Sequence, residues 1–219
     1  MNRGFEIFAY VLAYALAYVW RFAVFILLTT LVLLSLVVAS RAEPTAARQY
    51  RNEVIREARA VWGLNAPVAV MGGQIEQESG WRPDVCSPYA CGLTQFTPST
   101  AKWISGLYSE LAGGDVFNPS WAIRALVRYD QRLYRAAASA ATERDRWAFT
   151  LSAYNGGLGA LQREIRLCSM KSDCDPTKWE KNVEQQNARA AWAWRENRGY
   201  PVAIFRRQLG YASWGGTVS

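Results

Sequence analysis

VAVMGGQIEQESGWRPDVCSPYACGLTQFTPSTA, residues 68–101, is the stretch from which the rest of the chain can be read. Its first half reads as a short helix. Pro67 suits a first helical position, and Asn65 can cap just ahead of it. Leu64, Val68, Met71 and Ile75 recur at helical spacing and form one apolar stripe. Glu78 falls on that stripe at the helix end, whereas Glu76 points to the far side. Glu78 is therefore expected against apolar walls, where desolvation raises a carboxyl pKa, and Glu76 in solvent. A proton held near neutral pH is what a general acid needs. The plainer alternative is a partly buried structural glutamate, because ion-pair networks perturb pKa values too.

The residues that follow favour the acid. Glu78-Ser79 leads into Trp81-Arg82-Pro83, then Ser87-Pro88, Gly92-Leu93-Thr94-Gln95-Phe96 and Pro98-Ser99-Thr100-Ala101. This order resembles the goose-lysozyme-like catalytic domain of the soluble lytic transglycosylases. A second block of that family, Ala-Tyr-Asn-Ala-Gly, is matched by Ala153-Tyr154-Asn155-Gly156-Gly157. A third, Glu-Thr-x-x-Tyr-Val, is weakly matched by Glu196-Asn197-Arg198-Gly199-Tyr200. The resemblance spans residues 50–209.

The resemblance implies a mainly α, lysozyme-like fold of the goose type and a lytic transglycosylase acting on peptidoglycan without metal or cofactor. Glu78 would protonate the β-1,4 oxygen between N-acetylmuramic acid and N-acetylglucosamine. The muramoyl C6 hydroxyl would then close a 1,6-anhydro ring. Ser79 and Gln95 would bind sugar groups or order the acid. Tyr154 would hydrogen-bond the Glu78 carboxyl, Asn155 would contact the N-acetyl region, and Tyr200 would close the cleft floor. Thr94 stands where the family usually has Met, and the loop before Gly92 is shorter here than in the family pattern. The alternatives are a muramidase with Asp84 positioning a water, and a non-catalytic wall-binding subunit of an envelope-spanning machine.

Composition narrows the chemistry further. No histidine is present, which removes Ser-His and Cys-His mechanisms and the commonest zinc ligand. The net charge of +7 accompanies no nucleic-acid motif and suits an anionic polymer such as the cell wall, or anionic lipid heads. Ten tryptophans suggest sugar-stacking surfaces, although a helical core is the more common explanation for them. The four cysteines form two sequence-local pairs, Cys86 with Cys91 and Cys168 with Cys174. Neither pair has Cys-x-x-Cys zinc spacing, so disulfides and an oxidising compartment fit better. Three connectivities are possible, and proximity favours the local one.

Residues 5–39 are apolar apart from Glu6 and Arg21. Residues 22–39 satisfy a span of about 17–25 apolar residues. Residues 1–42 are thus expected to be a membrane anchor or signal segment, with a transmembrane helix, and residues 43–219 the catalytic domain. Ser40-Arg41-Ala42 resembles a signal-peptidase site, but the apolar run exceeds the usual signal core of about 7–15 residues, which favours a retained anchor. The catalytic domain would then lie in the periplasm on the inner membrane, or be secreted after cleavage. Such a layout suits a secretion, conjugation or phage machine. Helices are expected from Pro98, from Asn118-Pro119 to Ala138, from Asp145 to Tyr154 and from Leu158 to Leu167. The tail is expected to be helical from Thr177 to Arg198 and interrupted by Pro201.

Overall fold

The computed structural model describes residues 16, 18–30 and 43–219. The chain divides into two compact units, Met1–Ala42 and Glu43–Ser219. In the first, residues 18–30 are helical and their apolar side chains are almost all exposed. Among the described residues no helix is long and apolar enough to cross a membrane. The expected transmembrane segment lies largely outside them.

The second unit is built from helices joined by short 3-10 turns. The α-helices are α1 (Arg51–Trp62), α2 (Val68–Ser79), α3 (Pro98–Leu107), α4 (Pro119–Ala136), α5 (Glu143–Gly156), α6 (Leu158–Ser169) and α7 (Ala191–Arg207). Sequence chemistry sets several starts. The Thr97 hydroxyl accepts from Thr100 N (3.2 Å) ahead of Pro98. The Asn118 side chain accepts from Ser120 N (3.0 Å) and Trp121 N (3.2 Å) ahead of Pro119. Thr142 accepts from Asp145 N (3.0 Å). Each cap satisfies amide groups that the helix itself leaves unpaired.

Helix α2 is the centre of the domain. Every residue from Val68 to Ile75 is buried. Two glycines allow that burial. A Cβ on Gly72 would stand 2.7 Å from the Tyr211 ring, and one on Gly73 would stand 2.9 Å from Gln208 N. Helix α7 and the 3-10 turn Gln208–Trp214 therefore pack directly on the α2 backbone. Gly80 closes α2 in the left-handed conformation (φ 60°). Trp81 follows at φ 66°, an uncommon conformation for a bulky residue. Its buried indole is held by Tyr211, whose hydroxyl accepts from Trp81 Nε1 at 2.7 Å, and by the rings of Tyr50 and Trp214.

Three sequence expectations are corrected here. Helix α2 begins at Val68 with Pro67 as its cap residue, and Asn65 makes no cap bond. Leu64 is off the stripe and 86% exposed, because the chain turns before the helix starts. The tail is mostly irregular to Ala190, and α7 then runs straight through Pro201 to Arg207. Pro201 is buried against the core, and tertiary packing outweighs the hydrogen bond it cannot donate. The tryptophans divide as composition allowed. Trp81, Trp121, Trp147, Trp179 and Trp214 are core residues, whereas Trp192 is 62% exposed.

Candidate active site

A cavity of about 750 Å³ opens beside the C-terminal end of α2, lined by Glu78, Gln95, Tyr129, Tyr154, Asn155 and Tyr200 among others. Four segments distant in sequence build it. Helix α2 brings Glu78, the loop before α3 brings Gln95, the end of α5 brings Tyr154 and Asn155, and α7 brings Tyr200.

Glu78 is half-buried. Its Oε1 accepts a short hydrogen bond from the Tyr200 hydroxyl. Among the described residues Oε2 has no protein partner. Burial pushes the Glu78 pKa up to about 8, the Tyr200 bond pulls the other way, and the Glu196 carboxylate adds a further upward push. The carboxyl therefore holds a proton at neutral pH with one oxygen left for a substrate.

Tyr154 does not make the bond expected of it. Its hydroxyl donates to Thr94 O at 2.8 Å, while Tyr200, expected only at the cleft floor, reaches the acid. Ser79 is also turned away. It is 3% exposed, and its hydroxyl donates to Leu93 O (2.7 Å), tying the helix end to the following loop. Gln95 lies at φ 48°, with Nε2 donating to Val85 O (3.0 Å) and Gly92 O (2.9 Å). Asn155 accepts from Asn197 Nδ2 at 2.8 Å and donates to Glu196 Oε1 at 3.5 Å. Glu76, expected in solvent, instead binds Arg207 and accepts from the Tyr211 hydroxyl (2.6 Å). Helix α2 is buried on nearly all sides, and Glu76 is itself only partly exposed.

Behind the cleft wall lies a charged network that the sequence did not announce. Glu164 is fully buried and pairs with Arg189 (2.8 Å) and Arg198 (3.0 Å). Arg198 Nη1 donates to Asn197 Oδ1 (2.7 Å), and Asn197 in turn holds Asn155. A second buried pair sits beneath the acid. Gln74 Nε2 donates to Asp130 Oδ1 at 3.3 Å, while Gln74 Oε1 and Asp130 Oδ2 are buried without partners. Burial first, opposed by the Gln74 bond and reinforced by Glu78, raises the Asp130 pKa well above the usual carboxyl range. Protonation of Asp130 removes a buried charge and gives its unpartnered oxygen a proton to donate.

Two cleft residues were missed. Glu196 is an exposed carboxylate lining the same cavity as Glu78. It heads the weak third block, so the signal was present but assigned no part. The sequence offered Asp84 as the second carboxylate. Asp84 is exposed and outside the cavity lining. Trp192 had no local pattern to mark it. The cysteines pair locally, with sulfur separations of 2.05 Å for Cys86–Cys91 and 1.97 Å for Cys168–Cys174. Among the described residues no group of His, Cys, Asp and Glu is arranged to hold a metal ion.

A mainly helical domain with a protonated glutamate at the end of its central helix defines a lysozyme-like class of protein. The chain belongs to the transglycosylase SLT domain family, whose domain matches residues 57–173. That span contains Glu78, Gln95, Tyr154 and Asn155, and stops before α7. The membrane-bound lytic murein transglycosylase F of Hahella chejuensis is 35% identical over 104 residues, 47% of this chain and 19% of the relative. The protein of the same name from Pseudomonas putida is 28% identical over 149 residues, 63% of this chain and 29% of the relative. The chain thus spans less than a third of the length of these curated relatives. The 70-kDa soluble lytic transglycosylase of Escherichia coli shares the fold, with a TM-score of 0.53 at 22% identity over 77% of this chain and 25% of that one. The same holds for a 70-kDa soluble lytic transglycosylase in complex with bulgecin A.

Proposed function

We propose that this chain is a peptidoglycan lytic transglycosylase that uses Glu78 as its general acid and then its general base. The observation that carries the reading is the Glu78 carboxyl, held by Tyr200 through one oxygen with the other, among the described residues, free in a cleft large enough for sugar rings, where burial pushes its pKa up to about 8. Glu78 Oε2 gives its proton to the glycosidic oxygen as the bond to muramoyl C1 breaks. The oxocarbenium- or oxazolinium-like species is assisted by the substrate's own N-acetyl group. Glu78, now a carboxylate, takes the proton of the muramoyl C6 hydroxyl as that oxygen bonds to C1. Atoms balance without water, and the acid is regenerated. A tethered hydroxyl has a large proximity advantage over solvent.

The site residues take distinct parts. Tyr200 orients the acid through Oε1. Asn155, fixed by Asn197, is placed to meet the N-acetyl region. Gln95 presents its amide oxygen to the sugar, because its nitrogen already holds the loop. Ser79 and Tyr154 act on the frame rather than on substrate, through Leu93 O and Thr94 O. Digestion of isolated cell-wall sacculi tests the activity. Wild-type protein should solubilise them, and a folded Glu78→Gln protein should not.

A second reading is favoured by Glu196. A muramidase needs another carboxylate near the acid to activate water or act as nucleophile. Glu196 lines the same cavity, and Asp84 does not.

The surroundings of the activity are also part of the proposal. Residues 1–42 act as a membrane anchor, consistent with the apolar run and with relatives named membrane-bound. Two disulfides suit a periplasmic domain on the inner membrane. Tethering the cleft near the wall suits a wall-opening module of a secretion, conjugation or phage envelope machine. Protein carrying residues 1–42 should remain with membranes through a high-salt wash.

A further inference from the structure

The Cys86–Cys91 loop forms a partition. On one side lies the cavity that contains Glu78. On the other is a second cavity of about 660 Å³, lined by Pro88, Pro98, Lys102, Asp115, Val116 and Phe117 among others. Ser87, Tyr89, Ala90 and Phe96 line both, so the two cavities adjoin across the loop. At the partition stands Tyr89, 73% exposed, and Phe117 in the second cavity is 49% exposed.

The loop holds Tyr89 in place by construction. The disulfide closes it. Ser87 Oγ accepts from Tyr89 N (3.3 Å) and Ala90 N (3.0 Å), and Ser87 N donates to Ala90 O (2.8 Å). Val85 O accepts from Gly92 N (2.9 Å) and from the Gln95 side chain (3.0 Å). The far bank is fixed to the same frame. Gly92 lies at φ 83°, and a Cβ there would stand 1.9 Å from Val116 O, so the segment bearing Phe117 is seated on the loop backbone. An exposed aromatic ring on a stapled, hydrogen-bonded loop contributes nothing to the core of the free protein. Such a loop loses little backbone freedom on binding, because its conformation is already set.

We propose that the Cys86–Cys91 loop is a glycan-binding platform, with Tyr89 stacking on a sugar ring where the strand passes from the catalytic cavity into the second one. The proposal rests on the transglycosylase reading and adds where the polymer goes beyond the cleaved bond. The occupant follows from adjacency and from chemistry. The first cavity holds the reacting sugars, the substrate is a polymer, and the adjoining cavity offers aromatic and proline faces suited to the C–H faces of pyranose rings.

The test measures binding of peptide-free glycan oligomers of increasing length to Glu78→Gln protein, which cannot cut them. In that background, affinity should rise with length. Adding Tyr89→Ala should lower affinity for the longest oligomers about fivefold while shortest-oligomer affinity changes least. Tyr89→Phe, which keeps the ring, should restore the length dependence, and Phe117→Ala should mimic Tyr89→Ala. Tyr89 is exposed, so circular dichroism and the melting temperature should match the parent. A length dependence that survives Tyr89→Ala would overturn the proposal. So would a loss seen only with peptide-bearing fragments, which would assign the second cavity to the stem peptide. Parent protein that bound no glycan of any length would remove the functional reading itself.

Discussion

The Tyr200 hydroxyl donates its hydrogen bond to the carboxyl of Glu78 across 122 residues of sequence. The bond joins the end of the central helix to α7, which packs on the glycine face of that same helix. The acid is thus oriented by the element whose close approach Gly73 permits, beside the 3-10 turn that covers Gly72.

Replacing Tyr200 by Phe should leave the packing of α7 intact and free Glu78 to rotate. The bond lowers the Glu78 pKa against the larger effect of burial, so its loss should move the alkaline limb of the pH–rate profile upward. The rate at the optimum should fall about tenfold. An unchanged alkaline limb would show that Tyr200 does not act on the acid.

Glu78 also links stability to pH. Its native pKa of about 8 lies above the unfolded carboxyl value, so the native state binds the extra proton between the two. Stability should therefore fall as pH rises from about 4.5 through about 8. Glu78→Gln has no charge to bury. It should melt higher than wild type at pH 9, and the gap should shrink toward pH 5. Equal melting curves at both pH values would contradict a desolvated acid.

Glu76 has a structural task. It accepts from Tyr211 and pairs with Arg207, fixing the 3-10 turn that covers α2. Glu76→Ala should cost about 1–3 kcal/mol of unfolding free energy in urea titrations, by leaving half-buried donors without a partner. Sacculus digestion by the folded fraction should persist. Loss of cleavage at full stability would return Glu76 to the chemistry.

Asp130 and Gln74 behave as a neutral pair. Asp130→Asn can keep the observed bond, accepting from Gln74 Nε2 through its amide oxygen while its amide nitrogen takes the place of the unpartnered oxygen. It should change stability by under about 1 kcal/mol, whereas Asp130→Leu should cost about 2 kcal/mol or more by orphaning the buried amide. Urea midpoints of the two variants separate the cases. A severe Asn variant would mean that Asp130 is needed as an ion.

Much of this was legible in the sequence because the signals were local. Thr97-Pro98 and Asn118-Pro119 announce helix starts through caps formed within three residues. The cysteine pairs are five and six residues apart and join as proximity favoured. The errors arose where partners are distant. The exchange of roles between Tyr154 and Tyr200 depends on which hydroxyl reaches Glu78 and which reaches Thr94 O. Periodicity cannot report that. Glu76 was misplaced because an amphipathic reading assumes one wet face, and α2 is buried on nearly all sides. Glu196 went unused because its block matched poorly and its helix was expected to stop near Arg198.

The central claim is that one acid suffices and that the sugar's own hydroxyl is the nucleophile. Mass spectrometry of the muropeptides released from sacculi tests it most directly. The account predicts 1,6-anhydromuramoyl ends, each lighter by one water than a hydrolytic end, with no gain in reducing sugar. Protein carrying Glu196→Gln should still form them. Products dominated by reducing-end muramic acid, and lost in Glu196→Gln, would make Glu196 the partner of Glu78 and the enzyme a muramidase.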